Sequence, residues 1–254
     1  MKKKLLFAAA MLLAAPAYNA HAQIMNIVEI SGNDEFAPEA QVATAVITDR
    51  RLLEGLNTVI FPFETTKDEL GAATVLEYTG TTEEAGGLTL NFREVEPVDD
   101  VVTLQANTPY AVFVDADQEE NLTFGVKNIN PGGGWYNEYT IYDQNGEFNF
   151  VGTYSEWKQN YNSPIVAGDY IAGAHAFKKA IGGNGLKAYR AYLRKTGETD
   201  AKASFNFGGT IVNGIEAVEL LNNLSGNIYN LNGQKLQKTQ KGINIVNGKK
   251  LLVK

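Results

Sequence analysis

The chain has 254 residues, 44 % of them apolar and 20 % charged, with 22 Lys and Arg against 29 Asp and Glu and no cysteine. That length supports one large domain, or a domain with a tail, and a core that needs no cross-links. The acidic balance argues against nucleic acid or anionic lipid as partner, because neutralising phosphates takes Lys and Arg; without cysteine there is no disulfide framework, thiolate nucleophile or Cys-ligated zinc.

Lys2, Lys3 and Lys4 precede an apolar run from Leu5 to Ala15, and Ala20-His21-Ala22 forms a small-x-small cleavage pattern before Gln23. This reads as a secretory signal peptide over residues 1–22. The run is shorter than the roughly 20 apolar residues that span a bilayer and no later stretch reaches that length, so no transmembrane helix is expected. With no cysteine at the cleavage site, a lipoprotein anchor is excluded as well. Residues 23–225 carry 29 acids and 13 bases, net −16, whereas Gly226 to Lys254 carries six lysines and no acid.

The body reads as strands with hardly any helix. β-Branched and aromatic runs occur at Ile24 to Ile30, Val42 to Thr48, Thr58 to Phe63, Thr74 to Tyr78, Leu88 to Val95, Tyr110 to Val114, Leu122 to Ile129, Tyr139 to Tyr142, Phe148 to Tyr154, Tyr170 to Ala174, Ala188 to Leu193 and Ala203 to Phe207. Gly, Pro, Asn and Asp fill the gaps. The expected architecture is all-β: an antiparallel β-sandwich or jelly-roll body over residues 23–212, then a small β-hairpin tail over 213–254, with the boundary in the glycines from Gly208-Gly209 to Gly214. The one helix start is Thr65-Thr66-Lys67-Asp68-Glu69, a capping-box arrangement before Leu70, and Gly71 limits it to about one turn. Three stretches, Asn57 to Phe63, Leu88 to Phe92 and Ala106 to Tyr110, together with Phe150 to Tyr154, Gly168 to Ile171 and Lys187 to Leu193, are similar to an uncharacterised β module of adhesin-like secreted and surface proteins. The resemblance implies one domain over about residues 24–210 and brings no catalytic residues.

Candidate chemistry is sparse. His175 is the only histidine after the signal segment, so a nucleophile–histidine system has at most one imidazole, and its Ala174 and Ala176 neighbours suit a structural or surface histidine. The Gly132-Gly133-Gly134 run after Pro131 lacks the strand-to-helix setting of a nucleotide site and reads as a turn. With 29 acids, some carboxylate pair always qualifies for glycoside hydrolysis, so that signal carries little weight. Asp115, Asp117 and Glu119 place oxygens at alternate positions, as a Ca²⁺ loop does, but Glu120 stands where an EF-hand has glycine and the distal Glu is missing; a solvated acidic turn is the competing reading. Trp135, Tyr136 and Tyr139, with Trp157 and Tyr161 in a polar loop of Asn, Gln and Lys, are the candidate sugar-binding rings: CH groups stack on aromatic faces while amides take the hydroxyls. Glu156 and Lys158 on either side of Trp157 place its loop in water, and the competing reading is that these rings fill the core.

In the tail, Ile228 to Leu231 and Ile243 to Val246 each lead into an Asn-Gly pair, Asn232-Gly233 and Asn247-Gly248, suited to a type I′ turn, and each is answered by a basic return strand. Tyr229, Asn232, Gly233, Gly242, Asn247, Gly248, Lys249 and Lys250 carry the pattern IYNLNGQKL followed by KGINIVNGKKLLVK. This resembles the type A C-terminal sorting domain of type IX secretion substrates, over roughly the last 40 residues from Gly214-Ile215 on and in a form shorter than the common one. The resemblance implies secretion machinery as a partner and a destination at the cell surface, in the outer membrane or outside the cell. Together these readings give an exported, non-enzymatic, adhesin-like binding protein with no required cofactor, whose ligand is a glycan or a host or matrix protein. The alternatives are a carbohydrate-binding module or a carboxylate-dependent glycoside hydrolase.

Overall fold

The computed structural model of the chain describes residues 25–84, 87–132, 138–173, 177–198, 203–208, 210–213, 228–230, 233–236, 242–246 and 249–253. The segment read as a signal peptide lies outside them. Among the described residues the protein is all-β apart from one turn of helix, and no helix there is long and apolar enough to cross a membrane.

Two sheets form the centre. One has six strands, β4 (Gly55–Val59), β6 (Thr74–Glu84), β7 (Gly87–Glu94), β9 (Tyr110–Val114), β17 (Ala203–Phe207) and β18 (Thr210–Asn213), in the order β18-β17-β7-β6-β9-β4. The other has five, β12 (Glu138–Ile141), β13 (Phe148–Thr153), β14 (Ala167–Ala172), β15 (Phe177–Ile181) and β16 (Arg190–Lys195), in the order β12-β13-β16-β14-β15. Between them packs an aromatic core that includes Tyr78, Phe92, Phe113, Phe150, Phe177 and Phe205. Each fully buried ring of this kind contributes roughly 1.5–3 kcal/mol.

Strands β4 and β9 of the six-stranded sheet are buried on both faces, which is why β9 reads as a continuous apolar run, whereas burial alternates along β7. In β9 all five residues are buried: Ala111 and Phe113 face the inter-sheet core, while Tyr110, Val112 and Val114 face a second core on the opposite side. That second core is roofed by three small sheets. They are β1 (Ile27–Ile30) with β3 (Ala45–Thr48) and β10 (Thr123–Phe124); β2 (Gln41–Ala43) with β11 (Lys127–Ile129); and β5 (Thr65–Thr66) with β8 (Thr103–Leu104). The helix α1 (Lys67–Leu70) completes the roof, with the Thr66–Glu69 capping box that the sequence announces and Leu70 buried. A third, smaller core on the outer face of the five-stranded sheet joins Val151, Ala180 and Tyr192 to Trp157 and Ile165.

Several expectations need correction. The pairing is mixed rather than antiparallel throughout, because β1 runs parallel to β3 and β17 parallel to β7. Of Thr58 to Phe63, only the start is strand; Phe61 and Pro62 give their carbonyls to Asn107 and Asn130, and Phe61 and Phe63 stack with centroids 5.3 Å apart inside the roofed core. The run Leu122 to Ile129 breaks into β10 and β11, which pair with β3 and β2 respectively. Strand β18 pairs with β17 and carries the six-stranded sheet on to Asn213.

The tail forms a sheet of its own from β19 (Ile228–Asn230), β20 (Lys235–Leu236), β21 (Gly242–Val246) and β22 (Lys249–Val253), ordered β20-β19-β21-β22. Both expected hairpins are present. Val246 pairs with Lys249, leaving the two-residue loop expected there. The first hairpin differs: the Gly233 N–H donates to the Asn230 carbonyl and Gly233 has φ 76°, which makes a three-residue loop closed by a left-handed glycine instead of a two-residue type I′ turn. Asn232, Asn247 and Gly248 lie outside the described residues.

Opposite the small sheets, the two large sheets are tied by Asp143. Its carboxylate accepts hydrogen bonds from five groups: the Thr81 hydroxyl, the Thr81 N–H at 3.0 Å, and the N–H groups of Asn145, Glu147 and Phe148 at 3.0 to 3.2 Å. A bulge in β6 brings the backbone this close, and only glycine fits there: Gly80 has φ 106° and a Cβ would stand 2.8 Å from Asp143 Oδ1. Burial pushes the Asp143 pKa up, but the hydrogen bonds from Thr81, Asn145 and Phe148 outweigh it and hold the carboxyl below its usual value. A depressed folded-state pKa stabilises above the unfolded value near about 3.9, and that contribution is lost as pH falls through the folded value. Urea unfolding of Asp143→Ala at neutral pH is expected to show a loss of about 1–3 kcal/mol, since the donors are left buried without an acceptor. The difference from the unmodified chain should shrink below about pH 4.

Candidate functional site

The structure disperses the aromatic candidates. Tyr139 packs against Tyr154, centroids 4.9 Å apart, beside the roofed core. Trp157 is only 7 % exposed and meets Tyr192 edge-on at 5.3 Å in the outer core, so its expected exposure is corrected. The reason is local: residue 157 forms a two-way bridge with Leu186, both hydrogen bonds 2.8 Å, which turns its ring inward while Lys158 stays exposed and Glu156, mostly covered, pairs with Lys187. Tyr161 is 85 % exposed. Trp135, Tyr136 and His175 lie outside the described residues.

Asp115, Asp117 and Glu119 are exposed, and among the described residues no three carboxyl or imidazole groups converge as metal ligands. Asp117 instead accepts the Glu54 N–H at 2.8 Å, while Gln118 between them accepts from Leu52 N–H at 2.8 Å and donates to Leu70 O at 2.6 Å. Those contacts anchor the acidic turn to the loop after β3 and to α1. Other perturbed carboxyls are also committed to structure. Glu69 caps α1 and pairs with Lys127 at 2.8 Å. Asp169, raised by burial, accepts from Val166 and Lys195 N–H at 2.9 and 2.8 Å.

A solvent-facing cavity of about 300 Å³ opens where the loops after β1 and β3 meet the segment entering β16. Four cationic side chains, Arg50, Arg51, Lys187 and Arg190, line it with one carboxylate, Asp49. Arg50 lies at the base, 8 % exposed, where Nη1 donates to Tyr189 O and Nη2 to Thr58 O, both at 2.7 Å. One partner carbonyl belongs to β4, at the edge of the six-stranded sheet, and the other to the entry to β16 in the five-stranded sheet, so the guanidinium is wedged between the two sheets. Tyr189 is held with φ 59°, a left-handed conformation costly for an aromatic residue, and this aims its carbonyl at Arg50. The strain is over-determined by the Tyr189 N–H to Thr153 O bond at 2.7 Å and the Tyr189 hydroxyl to Asp34 at 2.8 Å.

The electrostatics are unbalanced. Burial holds the Arg50 pKa well below the usual arginine value, the like charge of Arg190 adds to this, and Asp49 offsets it in part. Arg190 is lowered by burial in the same way, again with Asp49 opposing. The Nε atoms of both arginines are buried without a hydrogen-bond partner. No family model, curated protein or solved structure matches the chain. The cavity's chemistry therefore rests on its own residues: it is rich in donors and suited to a ligand rich in acceptors. The sequence reading missed it because Arg50 and Arg190 are 140 positions apart; the available signal was the Arg50-Arg51 pair inside an otherwise acidic body.

Trp157→Ala is expected to cost roughly 3–5 kcal/mol in chemical denaturation, as a large-to-small core change does, whereas Tyr161→Ala should stay within about 0.5 kcal/mol.

Proposed function

We propose that the protein is an exported, non-enzymatic binding protein of the cell surface or medium, with a recognition body and a C-terminal tail that acts as its delivery signal. The observation that supports this best is the self-containment of the tail. Among the described residues, strands β19 to β22 pair only with one another, while the body's sheets lie between residues 27 and 213. A segment that lends no strand to the body is open to a receptor, and its removal leaves the body's ladders complete. The charge reversal from net −16 to six lysines without an acid distinguishes the two parts for such a receptor.

Binding is favoured over carboxylate hydrolysis because the acids with shifted pKa serve the fold. Asp143, Asp169 and Glu69 lie in separate parts of the fold, and each accepts backbone N–H groups that hold local structure or join strands. A hydrolase needs two carboxyls facing one cleft, whereas the one cavity described above is lined by four cations and a single acid.

Deleting Gly226 to Lys254 in the native host is expected to leave the protein in the periplasm, and the truncated chain should still unfold in a single cooperative transition. Unchanged amounts at the surface or in the medium would contradict the delivery role. Loss of the cooperative transition would show that the tail is part of the body's fold.

A further inference from the structure

Buried cations in folded proteins are normally matched by an anion, because the desolvation they suffer is otherwise uncompensated. Arg50 breaks this pattern: its partners at 2.7 Å are two neutral carbonyls. Arg190 has no side-chain acceptor among the described residues, and Arg51 is exposed at the rim without an ion pair. Lys187 is already occupied, by Glu156 and Asn33, both at 2.5 Å. The one carboxylate on the wall, Asp49, accepts from the Ser31 hydroxyl at 2.5 Å and the Gly32 N–H at 2.9 Å. Three guanidinium groups thus surround a cavity of about 300 Å³ with less than a full counter-charge, in a body that is otherwise strongly acidic.

We propose that this cavity binds a carboxylate-bearing ligand of monosaccharide size, a sugar acid, whose carboxylate sits against Arg190 beside Arg50. The guanidinium fork matches a planar carboxylate with two parallel hydrogen bonds. Three guanidinium groups against one carboxylate can take the charge of either a carboxylate or a phosphate, and the ring hydroxyls, which inorganic phosphate lacks, are what distinguish the sugar acid. The volume falls at the small end of ligand pockets, roughly 300–1,000 Å³, which suits one ring. Asp49 uses two of about four acceptor positions on its carboxylate and so has capacity for ligand hydroxyls. The proposal deepens the binding reading of the body and does not depend on the tail.

Isothermal titration of the full chain with glucuronate, glucose, acetate and inorganic phosphate tests it. Glucuronate is expected to bind and glucose, which lacks the carboxylate, is not; acetate should bind more weakly than glucuronate because it lacks the hydroxyls. Arg190→Gln should weaken glucuronate binding by about tenfold or more with the thermal midpoint unchanged, and Arg190→Lys should recover part of the loss. Should Arg190→Gln fail to fold, Arg51→Gln at the exposed rim is expected to weaken binding in the same direction. Equal binding of glucose, tighter binding of phosphate, or glucuronate affinity indifferent to Arg190 and Arg51 would overturn the assignment. Absence of glucuronate binding with tail-dependent export intact would remove the site and leave the delivery role standing, and the converse pair of results would do the reverse.

Discussion

The guanidinium of Arg50 is the constraint on which the arrangement of the two large sheets depends. It joins Thr58 of β4, at the edge of the six-stranded sheet, to Tyr189, at the entry to β16 in the middle of the five-stranded sheet. Thr58 continues the seam: its hydroxyl donates to Ala191 O at 2.9 Å and accepts from Ala191 N–H at 3.0 Å. Hydrophobic burial between sheets is non-directional and leaves their sliding and rotation weakly specified. A buried donor fork with fixed acceptors on each side removes that freedom.

A second polar tie supplies the other anchor. Thr81 in β6 meets Asp143 ahead of β13, and the Tyr78 hydroxyl donates to Phe148 O at 2.9 Å across the same gap. Between the two ties the space is filled by stacked and edge-on rings, such as Phe92 against Phe177 at 5.5 Å and Phe205 against Phe177 at 5.3 Å. The ties differ electrically. Asp143 is surrounded by donors and its charge is well compensated, whereas Arg50 faces neutral carbonyls and a like charge. The cavity opens at the uncompensated end, so one residue serves both the fold and the electrostatics of the proposed ligand site.

What was legible in the sequence followed local chemistry. The strands Tyr110–Val114 and Ala203–Phe207 and the one-turn helix ended by Gly71 stand where composition and capping place them. Both tail hairpins do as well, since their turn residues lie beside their strands. Pairing direction was not legible: β17 meets β7 in parallel only after the whole five-stranded sheet has intervened, and alternation along β17 is the same for either direction. Strand β15, FKKAI, was missed because its two central lysines hide the alternation of an edge strand. Trp157 was misplaced because flanking charges say that a segment is near water, not which way each side chain points. The cavity was illegible for the same reason as the sheet order: it is made by residues brought together from distant parts of the chain.

Denaturant unfolding of Arg50→Lys isolates the contribution of the guanidinium fork. Lysine keeps a cation at the seam but has no fork to reach both carbonyls. A loss of about 1–3 kcal/mol is expected with the dependence on denaturant preserved, because a buried carbonyl on one of the two sheets is left without its donor. A stability within about 0.5 kcal/mol of the unmodified chain would contradict it and show that the Arg50 fork does not set the two sheets.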